Sequence, residues 1–413
     1  MNSFKSLRIH GWRQFDTIDL DLSKQITVLT GQNGCGKTTL LNILNRHFGW
    51  SLNFISTPLS NKRSARRIWS DIYQGKEDDE GEFDVNAYHQ VVIGEITYSN
   101  ETNCPLTTNT QVSAQYDVQY SSMQTVVGLH IPSHRPVASY TSVPNIPTDP
   151  RSATQEYQQY QQLLIQFYGG QRTENPGRIQ KQSLISFAVF GEGNSSVSAN
   201  LTIMEHYLKF QEVLRNVLPE SLGFSRIEIR MPEVVLVTTS GDFTLDAMSG
   251  GINAIFSIAW QIHMFAQDQT DFVVTIDEPE NHLHPSMQRT LLPNLAKAFP
   301  QAKFIISTHS PFVVSSFADA NVYALVRNNR ARVESVLLDL KDVSGTPNEV
   351  LREILDVDSN LPVWVEEAVN KIIAETLELP PEEKARAIME QLERLGIANA
   401  IAEYGINANN AKS

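Results

Sequence analysis

The sequence predicts an α/β fold, and three observations carry that prediction. A strand-like run, "QITVLT", passes through a glycine-rich loop into the helix-compatible "TTLLNILNRHFGW". Far downstream, the apolar "FVVTIDEPE" delivers Asp277 and Glu278 at its carboxyl end. A helical stretch, "SMQRTLLPNLAKAFP", then leads to a second β-rich run, "AKFIISTHSP", which is the order of a parallel β-α-β unit.

The elements follow in chain order. "FKSLRIHGW" and "DTIDLDL" read as two strands before the glycine loop, and the helix after it has its apolar residues at Leu40, Leu41, Ile43, Leu44 and Phe48. From about residue 51 to 85 the chain is polar and uneven. A basic cluster, Asn61 to Arg67, precedes the acidic run Lys76 to Asp84, and both are expected on a solvated loop, with contact to nucleic acid or a partner as the lesser reading. "YHQVVIGEITYS" and "QTVVGLHIPS" are rich in β-branched residues and predict strands. Helical patterning takes over in "ATQEYQQYQQLLIQFYG" and "SVSANLTIMEHYLKFQEVLRNVLPESL", and strand patterning returns in "FSRIEIRMPEVVLVTTSGDFTLDAM". After the β-α-β unit come a hairpin-like "VYALVRNNRARVESVLLDL", two helices and a frayed "INANNAKS". The predicted organisation is a first core part at 1–146, an inserted helical lobe at 147–222, a second core part at 223–325, and a partner-binding hairpin and helices at 326–413.

Composition narrows the function. The chain has 413 residues, enough for a sizeable core, with 41% hydrophobic and 19% charged residues. Its longest apolar run, Ala254 to Phe265, is shorter than the roughly 18 to 20 residues of a membrane helix and carries Gln261 and His263. The amino terminus has no apolar signal core, and the only two cysteines are Cys35 and Cys104. A cytoplasmic protein without a disulfide framework is expected. Its formal charge of −13 disfavours a grip on nucleic acid over the whole surface and leaves only a local basic patch for such a contact.

"GQNGCGKT", Gly31 to Thr38, fits G-x-x-x-x-G-K-[ST] and lies between a predicted strand and a predicted helix. Glycines at such a loop let backbone N–H groups curl round phosphate oxygens, and the helix start adds partial positive charge. Lys37 is placed to reach the β- and γ-phosphates of ATP, and Thr38 to ligate Mg²⁺. Asp277 is the second expected metal ligand, and Glu278 the group that orients or deprotonates the attacking water. His309, 31 residues after Glu278, follows the next predicted strand and is placed to sense the γ-phosphate.

Taken together, phosphate loop, "SGG", "IDEPE" and "STHSP" stand in the order of the ABC-class ATPases. "GQNGCGKTTLL" and "IDEPENHLHP" resemble the soluble, SMC-like branch. The pattern is similar to the ATPase half of overcoming-lysogenization-defect proteins and to the Septu and retron-associated anti-phage ATPases. The resemblance implies an ABC-type P-loop ATPase head with an inserted helical lobe and a helical carboxyl-terminal region. It adds Gln32, Asn33, Gly34, Cys35, Gly36 and Thr39 to the nucleotide-binding loop and places Arg13 near the nucleotide. It also makes Ser249, Gly250 and Gly251 the signature loop, Asn281 to His284 the D-loop and His309 the switch histidine. In that family two subunits close head to tail, each signature loop capping the other's ATP. The signature here reads "MSGGI", lacking the usual last polar residue, and "IPSHRP" (Ile131 to Pro136) stands where a glutamine loop is expected, with Arg135 in place of the glutamine.

The function implied is an ATPase that dimerises around ATP and Mg²⁺ and controls a separate effector in anti-phage defence. The partners implied are a second copy of the chain, in a head-to-tail dimer or higher oligomer, and an effector that is a nuclease or toxin, such as an HNH nuclease, with or without a reverse transcriptase and its RNA or DNA. The alternative is an SMC-like repair ATPase that clamps DNA, whose mark would be long heptad arms between phosphate loop and signature. The helical insert is too short for more than a stubby lobe and the charge is acidic, while a transporter subunit is disfavoured by the altered signature, the missing glutamine and the long insert. "LDVDSN" (Leu355 to Asn360) has two aspartates without the preceding glutamate motif of a TOPRIM nuclease.

Overall fold

A computed structural model describes residues 2–60, 67–72, 89–135, 139–147, 151–171, 174–339, 363–376 and 380–396. Most of the basic cluster after Asn61, the acidic run from Lys76, the Leu355–Asn360 segment and the last residues lie outside them. The chain divides into a unit spanning Met1–Gly345 and a second spanning Thr346–Ser413.

The first unit is organised by one sheet of 11 strands with two characters. Its parallel half runs in the order Asn321–Arg327, Ile26–Gly31, Ala302–Ser307, Phe272–Asp277, Gly128–Ile131. Every residue of Ile26–Gly31 and Phe272–Asp277 is buried, as expected of parallel strands covered on both faces. The antiparallel half contains Phe15–Asp21, Phe4–Trp12, Gln90–Tyr98, Asn103–Asn109 and Gln119–Tyr120. There the burial alternates, as in Phe15–Asp21. Val333–Leu338 joins the halves, antiparallel to Asn321–Arg327 and parallel to Phe15–Asp21. The hairpin that sequence grouped with the carboxyl-terminal helices is therefore part of the core sheet, because Asn321–Arg327 pairs directly with the phosphate-loop strand.

Parallel pairing sets the functional geometry. Ser307 is in register with Asp277 and with Leu29, and Leu325 with Gly31. The carboxyl ends of these strands converge, the position where open α/β sheets bind ligands.

Three helices follow the edge strand. Ala153–Tyr168 starts with a reciprocal capping box between Ser152 and Gln155, Gly177–Glu192 follows, and Leu201–Val217 is capped by Asn200. They pack on one another and on Gly250–Ala266, the helix after the Ser-Gly-Gly. Polar side chains make this join. Ser257 Oγ meets Tyr160 Oη at 3.2 Å and Gln180 Nε2 at 3.2 Å, and Ser183 Oγ accepts from Trp260 Nε1 at 3.3 Å. Lys181, fully buried, donates to Glu233 Oε2 at 2.5 Å and Asp246 Oδ2 at 2.6 Å. Although burial opposes its charge, the two carboxylates hold the amine above its usual range. Phe224–Arg230, Glu233–Thr238 and Phe243–Thr244 form a separate three-stranded sheet that hydrogen-bonds to Leu201–Val217 through Tyr207 and Gln211.

In the second unit, Val363–Glu375 and Pro381–Arg394 pack through Val365, Val369, Ile372 and Leu392. Among the described residues no helix is long and apolar enough to cross a membrane.

Candidate active site

The phosphate loop leaves the buried strand at Gly31 and enters the helix Lys37–Asn45 at Gly36. Gly34 and Gly36 have φ of 77° and 100°, left-handed values that turn successive N–H groups toward one side. A Cβ on Gly36 would collide with the side chains of Gln14 and Phe15, so only glycine fits. Gln32, Asn33, Gly34 and Thr38 are exposed, Thr39 is half-buried, and Cys35 is buried. The Lys37 side chain is buried and its Nζ donates to Gly31 O at 2.9 Å and Gln32 O at 3.2 Å. Burial lowers the pKa of this amine, while Cys35, Glu278 and Asp277 pull the other way.

Asp277 is nearly sealed from solvent. Thr38 Oγ1 lies 3.0 Å from its Oδ2, and Ser307 Oγ donates to its Oδ1. Burial raises its pKa and these hydroxyls oppose that rise. Sequence reasoning missed Ser307. Its signal was present in the parallel strand order, which puts the last residue of "AKFIIS" beside the last of "FVVTID".

Glu278 occupies the first turn beyond the strand with φ of 46°, an uncommon conformation for a non-glycine residue. Its carboxylate accepts from Asn281 Nδ2 at 2.9 Å, and its Oε1 stands 3.7 Å from His309 Nε2. The other nitrogen of His309, Nδ1, is 3.3 Å from Lys37 Nζ. His309 thus bridges the phosphate-loop lysine and the glutamate. Burial, then the Lys37 charge, lower its pKa, which favours the neutral ring. Glu280, also missed by sequence reasoning, accepts from the His309 backbone N–H at 2.7 Å and so fixes the histidine loop.

Arg135 follows the edge strand Gly128–Ile131, which pairs with the Asp277 strand. Its guanidinium is buried and donates to carbonyls, among them Glu278 O at 3.2 Å.

The structure places the Ser-Gly-Gly elsewhere. Ser249 caps Gly250–Ala266, its Oγ accepting from Ile252 N. Ser249 and Gly250 are exposed, and the positions a Cβ would take on Gly250 and Gly251 face His282, with Met287 beside the second. The Ser-Gly-Gly and the Asn281 to His284 segment are therefore neighbours. Arg13 has φ of 51° and donates to Asp71 Oδ2 at 3.2 Å and Ile55 O at 3.1 Å, with Trp12 and Phe54 rings near its guanidinium. Its link to the phosphate loop runs through its neighbours Gln14 and Phe15.

The residues present suit a magnesium nucleotide. Thr38 and Asp277 offer oxygen ligands on one side of the loop, and among the described residues no cluster of three or more His, Cys, Asp and Glu forms a complete metal cage. Magnesium commonly takes one or two protein oxygens and completes its shell with phosphates and water.

A glycine loop on a helix start, a buried lysine, and a strand-end Asp-Glu pair opposite it define the P-loop ATPases as a class. The family profile described as an AAA domain matches residues 6–212, just over half of the chain, and one described as an AAA ATPase domain matches residues 153–314. The chain belongs to the AAA domain family and is an ATPase. It is similar to a Septu protein PtuA of Bacillus thuringiensis, 20% identical over 384 residues that cover 88% of this chain and 86% of that one. It is also similar to the retron Ec83 probable ATPase of Escherichia coli, 26% identical over 196 residues, 45% of this chain and 31% of that protein. This chain thus matches under a third of the retron protein. The SMC head domain from Thermotoga maritima superposes with a TM-score of 0.41 at 13% identity, covering 81% of this chain and 98% of that one.

Proposed function

We propose that this ATPase closes as a head-to-tail pair around ATP and that its nucleotide state controls a separate effector in anti-phage defence. The observation that carries the catalytic part is the Glu278 turn, whose carboxylate sits between Asn281 and His309 within reach of the Lys37 side of the loop. The backbone amides from Gly34 to Thr38 cradle the phosphates, and Lys37 leaves its carbonyls for the β- and γ-phosphate oxygens. Thr38 and Asp277 would hold Mg²⁺, which would supply neutralisation of phosphate charge when bound. Glu278 accepts a proton as water forms its bond to the γ-phosphorus and the bond to ADP breaks. Neutral His309 donates to the γ-phosphate or orients the water. Arg13 supports the loop from the neighbouring turn, and Ser249, Gly250 and Gly251 cap the ATP of the other subunit.

Similarity to a Septu protein and a retron ATPase supports the defence setting. An effector of the HNH nuclease kind, with or without a reverse transcriptase, fits that setting. The DNA-clamp alternative called for long arms. The described insert holds instead helices of 16, 16 and 17 residues packed against Gly250–Ala266.

Glu278→Gln tests the reading. Steady-state hydrolysis should fall by about 100-fold or more while ATP binding persists and an ATP-dependent dimer accumulates on size exclusion with light scattering. Turnover at the normal rate would remove Glu278 from the chemistry. Plaque assays on cells carrying the chain with its neighbouring genes should lose protection with the same substitution; protection that survives separates defence from hydrolysis.

A further inference from the structure

Arg135 is an unusual buried cation. Its four hydrogen-bond acceptors are all main-chain carbonyls, Pro132 O at 3.3 Å, Glu278 O at 3.2 Å, Pro279 O at 3.4 Å and Asn281 O at 3.4 Å. Burying a guanidinium without a hydrogen-bonded carboxylate is costly, so a local gain has to offset it. Three of those carbonyls belong to the turn that begins at Glu278 with positive φ. Nη2 meets the three turn carbonyls and Nη1 meets Pro132 O, so the planar fork spans the Glu278 turn and the Pro132 segment in fixed directions, where an ammonium offers a point charge. Asn281 closes the clamp, its Nδ2 donating both to Glu278 Oε2 at 2.9 Å and to Ser133 O at 3.3 Å.

The clamp is itself anchored. Tyr168, at the end of the first lobe helix, donates to His134 O at 2.7 Å and accepts from His134 N at 3.0 Å. Tyr168 also stacks edge-on with Trp50, ring centroids 5.7 Å apart. The segment Pro132–Arg135 therefore ties the Glu278 turn on one side to the helical lobe on the other.

We infer that Arg135 is a positioning residue for Glu278, holding the strained turn by its carbonyls so that the carboxylate faces the water, and that it acts without contacting nucleotide. The inference rests on the proposed catalytic role of Glu278. It differs from the glutamine-loop role suggested by position, in which the side chain would serve the metal or the phosphate.

Hydrolysis kinetics of the full chain, with ATP binding followed by a fluorescent nucleotide, test this. Arg135→Met should lower kcat by about 30- to 100-fold and leave the half-saturating ATP concentration and nucleotide affinity within about threefold. Arg135→Lys keeps the charge and, by the same geometry, should stay at least about tenfold down in kcat. Thermal melts report folding, and if the Met variant does not fold, the Lys variant decides alone. Full rate in the Lys variant, or nucleotide affinity falling in step with kcat, overturns the clamp. Glu278→Gln serves as reference: normal turnover there sinks the catalytic reading itself, whereas an inactive Glu278→Gln beside a fully active Arg135→Met sinks only the clamp.

Discussion

The chain presents two helix starts suited to phosphate, and they are built differently. At Lys37–Asn45 the start is enclosed by its own chain: Gly36 sits against Gln14 and Phe15, and Lys37 is buried on loop carbonyls. At Gly250–Ala266 the start is open, with Ser249 and Gly250 exposed and the Ser249 hydroxyl capping its own helix. A helix start with two glycine amides and an open approach suits an anion. In the proposed head-to-tail pair, the first site would lack only a cover and the second would supply it.

Substitution at the enclosed start should have the largest effect. Lys37→Ala removes the side-chain cation that joins the loop to His309, and ATP affinity measured by calorimetry should fall by about 100-fold or more. Wild-type affinity would erase the contrast between the two helix starts. At the open start, Ser249→Arg should leave ATP binding within about threefold yet lower hydrolysis by about 10- to 100-fold and abolish ATP-dependent dimers. Mixing the two inactive variants sharpens the point. A head-to-tail heterodimer holds one composite site with an intact loop and an intact cover, so an equal mixture should recover about a quarter of wild-type activity. No recovery would place both defects in one subunit's site.

Contiguous features were legible in the sequence, and the rest depended on partners that only the fold brings together. A phosphate loop is built from the backbone of one contiguous stretch, so in "GQNGCGKT" the motif and the local geometry coincide. Asp277 and Glu278 were recognised because two acids ending an apolar strand need a cation or a reaction to explain them. Ser307 and Glu280 were not, since a serine or a second glutamate beside such motifs has many ordinary roles. Arg135 could be located but its role could not, because three of the carbonyls it holds lie 143 residues or more along the chain. Hairpin placement failed for a related reason. The continuous apolar run in "VYALV" identifies a strand, and nothing in it says that its neighbour is Ile26–Gly31. The polar "QKQS" of Gln180–Ser183 is likewise buried, with Gln180 and Ser183 hydrogen-bonded to Gly250–Ala266, a placement that its polarity does not announce.

Two buried acids extend the comparison from the helix starts to the regions around them. Asp277, at the site, has hydroxyl donors from Thr38 and Ser307. Glu156, in the first lobe helix, is fully buried and neither of its carboxylate oxygens has a hydrogen-bond partner. Burial pushes this carboxyl from 4.5 up to about 7, with Arg151 and Arg178 only partly opposing it. The folded chain therefore holds a proton that the unfolded chain releases between about pH 4.5 and 7. Stability from this group is fully present below pH 4.5 and is lost as pH rises through about 7, by up to about 3 kcal/mol. Glu156→Gln, neutral at every pH, should match the wild type near pH 4.5 and exceed it at pH 8 by about 1 to 3 kcal/mol in urea unfolding. ATP affinity should stay unchanged, because the lobe acid is not part of the nucleotide loop. A stability difference that does not vary with pH would mean that Glu156 is solvated or paired in solution, and the lobe would then resemble the site in how it treats its acids.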